Sequence, residues 1–280
     1  MRRESWGHVF KVALLLCLGC SLVVSAAAVG LRSFQRENKQ RELRKYVLLA
    51  AGLFDPDEHT DADVDRLFSQ VEAQIVDLDT GEVLAEDEFL EQLAAANITV
   101  KNAADYEPRK AARYETLSYQ IPGSEDPASI RRREQYSLVY RVDEGGSSDM
   151  IVIPIRGYGL WSTLHGFLAI DVNSLKQGPE HAEVRGLTYY EHGETPGLGG
   201  EVDNPVWKSK WEGKHVFDED WNVIAEVTKT ITEPEHQVDA LSGATITSNG
   251  VTYMLEFWLG ERGFQPYLKR LAGQPVETGE

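Results

Sequence analysis

The sequence predicts an α+β protein: one N-terminal membrane-spanning helix, then a body with a mainly antiparallel sheet flanked by helices. Three observations carry this. Val12 to Leu31 is a run of 20 residues without a charge. Tyr136–Val142, Met150–Arg156 and Phe167–Val172 are apolar or alternating segments between Gly-rich turns, as neighbouring antiparallel strands are. Asn249 to Leu259 puts Val251, Met254, Leu255 and Trp258 on one helical face.

At about 1.5 Å per residue the uncharged run reaches about 30 Å, the thickness of a hydrocarbon core. A cleaved signal peptide is the rival reading, with Ala26-Ala27-Ala28 as its small-residue site. The run is longer than a usual signal core, which favours a retained span. Cys17 and Cys20 lie in it three residues apart, on one helix face, and read as packing residues. Gly19-Cys20 resembles a lipoprotein signal, but Cys17 stands where such signals want Leu. The body has no cysteine. That excludes a disulfide scaffold, Cys-based zinc sites and thiol catalysis there, and suits an oxidising compartment. Arg2, Arg3 and Lys11 precede the span, and Arg32, Arg36, Lys39, Arg41, Arg44 and Lys45 follow it. By charge count alone the body would face the cytoplasm.

Residues 32–53 read as a helix leaving the membrane, stopped by Asp55-Pro56-Asp57. Asp61–Ser69 reads as a short helix, Ala73–Leu78 as a strand and Asp79-Thr80-Gly81 as a turn. Residues 105–135 are polar and contain proline, and Arg131-Arg132-Arg133 within them reads as a solvated loop. Trp207–Trp211 suggests a helical turn and Trp221–Thr230 a further strand. The chain thus divides into residues 1–11, a short N-terminus; 12–31, the span; 32–135, a membrane-proximal helical and α+β region; and 136–280, a second domain.

Residues 33–280 hold 24 Lys/Arg against 44 Asp/Glu, a net charge of -20. So acidic a body repels phosphate backbones, which excludes nucleic-acid binding. Gly157-Tyr158-Gly159 follows an apolar strand, but Ser162 holds the third glycine position of a dinucleotide fingerprint, so it reads as a turn. Ser242 lacks the glycines of a nucleophile elbow. The seven histidines are scattered and no two make a tight ligand pair, which argues against zinc.

Two segments are rich in ligand-binding residue types. Asp239 to Gly250 is small, hydroxyl-rich and runs into a helix. Gly243 allows close backbone approach, and the helix start offers free N–H groups and a positive dipole end for a phosphate. Thr247, Ser248 or Asn249 is placed to cap that helix. These twelve residues alone fit either a capping turn or a phosphate site. His192 to Gly200 has four glycines and a proline, which suits a close-fitting loop or a plain surface turn.

Taken together, the segments resemble the NqrC family of Na+-translocating NADH:quinone reductases (the Nqr complex). The family's covalent flavin motif, Asp-x-x-Ser/Thr-Gly-Ala-Thr-x-Thr/Ser, is matched by Asp239 through Thr247. Its glycine loop is matched by Glu194 to Gly199, and the longer run Gly193 to Pro205 is similar to this family. Gly157–Trp161 and Val76–Gly81 are also similar, and the likeness covers most of the chain.

The resemblance implies FMN joined through its phosphate to Thr245, so that residues 136–280 form an FMN-binding domain. Ser242, Gly243, Ala244 and Thr247 are expected at the phosphate end, and Thr195, Gly197 and Leu198 toward the ring. Glu194 is read as a brace for the loop. A flavin transferase is implied for attachment, because a threonine hydroxyl is a poor nucleophile unaided. The implied role is an electron relay in a complex that oxidises NADH, reduces ubiquinone and exports Na+, with no complete active site on this chain. The other Nqr subunits are the implied partners. The implied location is the bacterial inner membrane, single-pass, with the body in the periplasm. Two alternatives are an RnfG-like flavoprotein of the Rnf ferredoxin:NAD+ complex and a membrane-anchored flavin-binding sensory protein.

Overall fold

A computed structural model describes residues 6–100, 102–103, 106–143 and 149–276. Two compact units divide between Leu43 and Arg44. Arg2 and Arg3, counted above for orientation, lie outside the described residues.

The first unit holds α1 (Trp6–Gly30) and most of α2 (Arg32–Ala50). α1 is 25 residues long, uncharged from Val12 onward, and buries none of its residues. By length and composition this is the one helix among the described residues long and apolar enough to cross a membrane.

The second unit is built on six antiparallel strands. In chain order they are β1 (Val71–Asp77), β2 (Val83–Leu84), β5 (Tyr136–Asp143), β6 (Asp149–Tyr158), β7 (Thr163–Asp171) and β8 (Val184–Glu191), with β3 (Ser118–Gln120) and β4 (Arg132–Glu134) pairing separately. The spatial order is β2-β1-β5-β6-β7-β8, so the sheet draws strands from both sides of residue 136. Short helices α3 (Val64–Phe68), α4 (Glu86–Ala95), α5 (Pro108–Ala111), α6 (Val172–Leu175) and α7 (Pro205–Ser209) fill the connections. A small parallel pair, β9 (Glu226–Thr228) and β10 (Gln237–Asp239), leads to α8 (Thr245–Leu259) and α9 (Gln265–Leu271).

The main core lies between the sheet and α8. Ile151, Ile153, Ile155, Leu164 and Leu168 from the strands meet Val251, Met254, Leu255 and Trp258 from the helix. α8 lies close along β6 because Gly250 faces the Tyr158 carbonyl, where a Cβ would sit 2.5 Å from that oxygen. This approach fixes where the start of α8 stands against the β6–β7 hairpin.

Three expectations are corrected. The helix begins at Thr245, not Asn249. The segment from Trp221 to Thr230 yields only the three-residue β9. The Arg131–Arg133 run is not a solvated loop: Arg132 and Arg133 lie on β4, and Arg133 is 1% exposed. Its guanidinium pairs with Asp79, donates to the Arg262 carbonyl at 2.7 Å and lies 4.4 Å from the Tyr119 ring centroid. Those partners are what a buried charge requires.

Candidate functional site

Three segments meet at the start of α8: the loop of residues 193–200, the β6–β7 hairpin and residues 239–245. Their junction is the carboxylate of Glu194, which is 5% exposed. Its Oε1 accepts the backbone N–H groups of Leu160, Trp161 and Ser162 at 3.2, 2.9 and 3.1 Å. Its Oε2 accepts the Thr247 hydroxyl at 2.7 Å. Burial alone raises the carboxyl pKa, but the Thr247 hydroxyl and the three N–H groups outweigh it and hold Glu194 below the usual carboxylate range. The residue is therefore an ionised brace, in keeping with the bracing role expected for it. Gly199 makes the pairing possible: a Cβ there would sit 2.6 Å from Thr247 Oγ1 and 2.7 Å from Glu194 Oε2.

Thr247 is thus not a helix cap. It is fully buried and its hydroxyl belongs to Glu194. Nor does Ser248 cap, since its hydroxyl accepts the Leu241 N–H at 3.0 Å and ties down the preceding turn. The N-cap position is Ala244, which offers no side-chain acceptor. The first i→i−4 bond runs from the Ser248 N–H to the Ala244 carbonyl at 2.9 Å. The N–H groups of Thr245, Ile246 and Thr247 consequently have no helical acceptor. Gly243, at φ +70°, turns the chain into the helix in a conformation that disfavours any other residue. Asp239 is anchored by Lys210 Nζ at 2.7 Å, and its carbonyl accepts the Trp207 indole N–H at 2.9 Å.

Thr245 stands exposed at the first helical position, with Ser242 and Gly243 exposed before it and Ala244 buried beneath. Leu198 is half exposed, and its Cδ2 lies 3.1 Å from where a Gly243 side chain would begin. That contact brings the glycine loop and the α8 turn together. Thr195 and Gly197 lie exposed on the same loop. The hairpin adds exposed Tyr158 and Trp161. In the sequence, Gly157–Trp161 is marked by its glycines, which read as a turn, and by family likeness. Its part in the site, giving backbone donors to Glu194, has no signal beyond that glycine spacing. The arrangement combines free backbone donors and a hydroxyl at one end with apolar side chains alongside, as a phosphate-bearing aromatic ligand needs.

A family model described as an FMN-binding domain matches residues 159–260, which include the glycine loop, the α8 turn and most of the hairpin loop. The chain is 42% identical to the NqrC subunit of the Na(+)-translocating NADH-quinone reductase of Pseudomonas aeruginosa, over 96% of this chain and 97% of that protein. It is 37% identical to the equivalent subunit from Yersinia pestis, over 99% and 97%. Among solved structures, the crystal structure of Shewanella oneidensis NqrC superposes with a TM-score of 0.69 at 33% identity, covering 85% of this chain and 100% of that one. With relatives this similar over nearly their whole length, and a fold to match, the chain belongs to the NqrC family of Na(+)-translocating NADH-quinone reductase subunits.

Proposed function

We propose that the chain is the electron-relay subunit of a Na+-translocating NADH:quinone reductase and carries FMN as a phosphate ester on Thr245. The observation that carries this reading is the uncapped start of α8, with an exposed threonine hydroxyl beside three N–H groups that lack helical acceptors. The residues present fit the group. A phosphodiester keeps about one negative charge, which backbone donors at a positive helix end stabilise. Leu198 and Thr195 supply a ledge for the ring, and Ser242, Gly243 and Ala244 shape the turn around the phosphate. When bound, the flavin supplies the redox chemistry, taking up and passing on electrons singly.

Thr245 acts as a tether. Among the described residues no base is hydrogen-bonded to its hydroxyl, and Glu194, the buried carboxylate of the site, is committed to Thr247 and the hairpin. Attachment therefore falls to a separate flavin transferase, which moves FMN from FAD to the hydroxyl and releases AMP. NADH oxidation and quinone reduction belong to partner subunits of the complex. α1 is retained as a single span of the inner membrane, with the acidic, cysteine-free body in the periplasm.

Two measurements on native membranes test the assignment. Gentle solubilisation should bring the other Nqr subunits down with this chain, in one yellow complex; recovery without them would overturn the relay role. In spheroplasts, added protease should digest the body and leave a short membrane-bound fragment. A body protected until the membrane is lysed would reverse the orientation.

A further inference from the structure

A second site lies away from the start of α8. A cavity of about 240 Å³ opens beside the ends of β6 and β7 and is lined by Arg109, Arg113, Arg131, Arg132 and Arg156. It shares no lining residue with the turn around Thr245. The body carries a large negative net charge, yet five of its cations converge here from three segments: α5 and the second residue beyond its end, β4 and the residue entering it, and β6.

Local carboxylates leave positive charge over. Arg109 is paired with Glu191 at 2.7 and 3.1 Å, and Arg156 with Glu134 at 2.9 and 2.5 Å. A third carboxylate, Asp126, accepts the backbone N–H groups of the lining residues Ile130 and Arg131 at 2.7 and 2.6 Å. Among the described residues Arg132 donates only to the neutral carbonyl and hydroxyl of Ser118. Arg113 and Arg131 are exposed and have no acidic partner among the described residues.

The backbone of the wall is strained. Ser129 and Arg131 stand at φ 54° and 66°, left-handed conformations that cost free energy for residues other than glycine. Asp126 holds that loop closed, so the strain is maintained where it places Arg131 at the cavity. Guanidinium groups approaching from several directions suit a tetrahedral oxyanion, which presents oxygens to each of them, better than a planar carboxylate.

We propose that this cavity binds a phosphate-class oxyanion, either free in the compartment or as the headgroup of a lipid. The probe is inorganic pyrophosphate, titrated calorimetrically at constant ionic strength into the full chain held in phosphatidylcholine nanodiscs. One saturable site is expected. R113Q/R131Q removes two exposed charges that have no acidic partner, so the fold should persist while the affinity falls by at least about tenfold. K229Q removes an exposed charge elsewhere and should bind as wild type does. In discs containing phosphatidylglycerol, a raised apparent Kd identifies a lipid headgroup as occupant, and an unchanged Kd a free phosphate. Absence of saturable binding, equal affinity of R113Q/R131Q and wild type, or an equal loss in K229Q overturns the site.

Discussion

Thr245→Ala is expected to yield a folded protein with no covalent flavin. The side chain is exposed at the first position of α8 and makes no hydrogen bond within the described residues. Removing it costs the fold within about 0.5 kcal/mol, the usual range for a surface substitution, and Ala is the better helix former. The chemical loss is complete, because the ester oxygen is gone. Thr247→Ala provides the contrast two residues on. It deletes a buried hydroxyl bonded to a carboxylate, so it should cost roughly 1.5–3 kcal/mol of stability while leaving the Thr245 hydroxyl available. After expression with the flavin transferase, a denaturing gel under ultraviolet light retains only covalent flavin with the band. Wild type and Thr247→Ala should fluoresce and Thr245→Ala should be dark. A fluorescent Thr245→Ala band with its flavin mapped to another residue would sink the assignment.

Much of this architecture is legible in the sequence. Strands β5, β6 and β7 alternate or run apolar between glycines, and α8 shows its apolar face at helical spacing. The residues also place a hydroxyl-rich turn before a helix. They misplace the start of that helix for physical reasons. Thr245, Ile246 and Thr247 are β-branched side chains with low helix propensity, and Ala244 offers no cap. The good capping residues further on suggest a later start, but the hydroxyls of Thr247 and Ser248 are buried and bonded elsewhere. The Thr247 partner, Glu194, is 53 residues distant, and no local pattern announces a contact so remote. The arginine run misleads in the same way, since Arg133 finds Asp79 across 54 residues. β8 is hidden because Arg185, Gly186 and Thr188 break its apolar character. In the fold Gly186 lies against the Ala50 carbonyl, where a side chain would not fit.

Glu194→Ala is expected to be the most destabilising single change at the site. The one carboxylate accepts the Thr247 hydroxyl and the hairpin N–H groups of Leu160, Trp161 and Ser162. Its removal orphans the buried Thr247 hydroxyl and three part-buried hairpin N–H groups, at roughly 1–3 kcal/mol each before water and relaxation recover part of it. A net loss of about 3–5 kcal/mol follows, the scale for removing one partner of a buried charged contact. For a unit of this size that is a fall in Tm of roughly 10 °C. Glu194→Gln keeps one acceptor oxygen and should lose less. Gly199→Ala should act in the same direction, by forcing a Cβ against the Glu194–Thr247 pair. The ionised state gives a further signature. Because the folded pKa lies below the ordinary value of about 4.3, the contribution is complete above about pH 5. It is lost as the pH falls through the folded value. The Tm gap between wild type and Glu194→Gln should therefore narrow on acidification from pH 7 toward pH 4 and below. A gap that stays constant over that range would mean that Glu194 is held neutral, and an unchanged Tm in Glu194→Ala would mean that the loop, the hairpin and α8 are held together by packing alone.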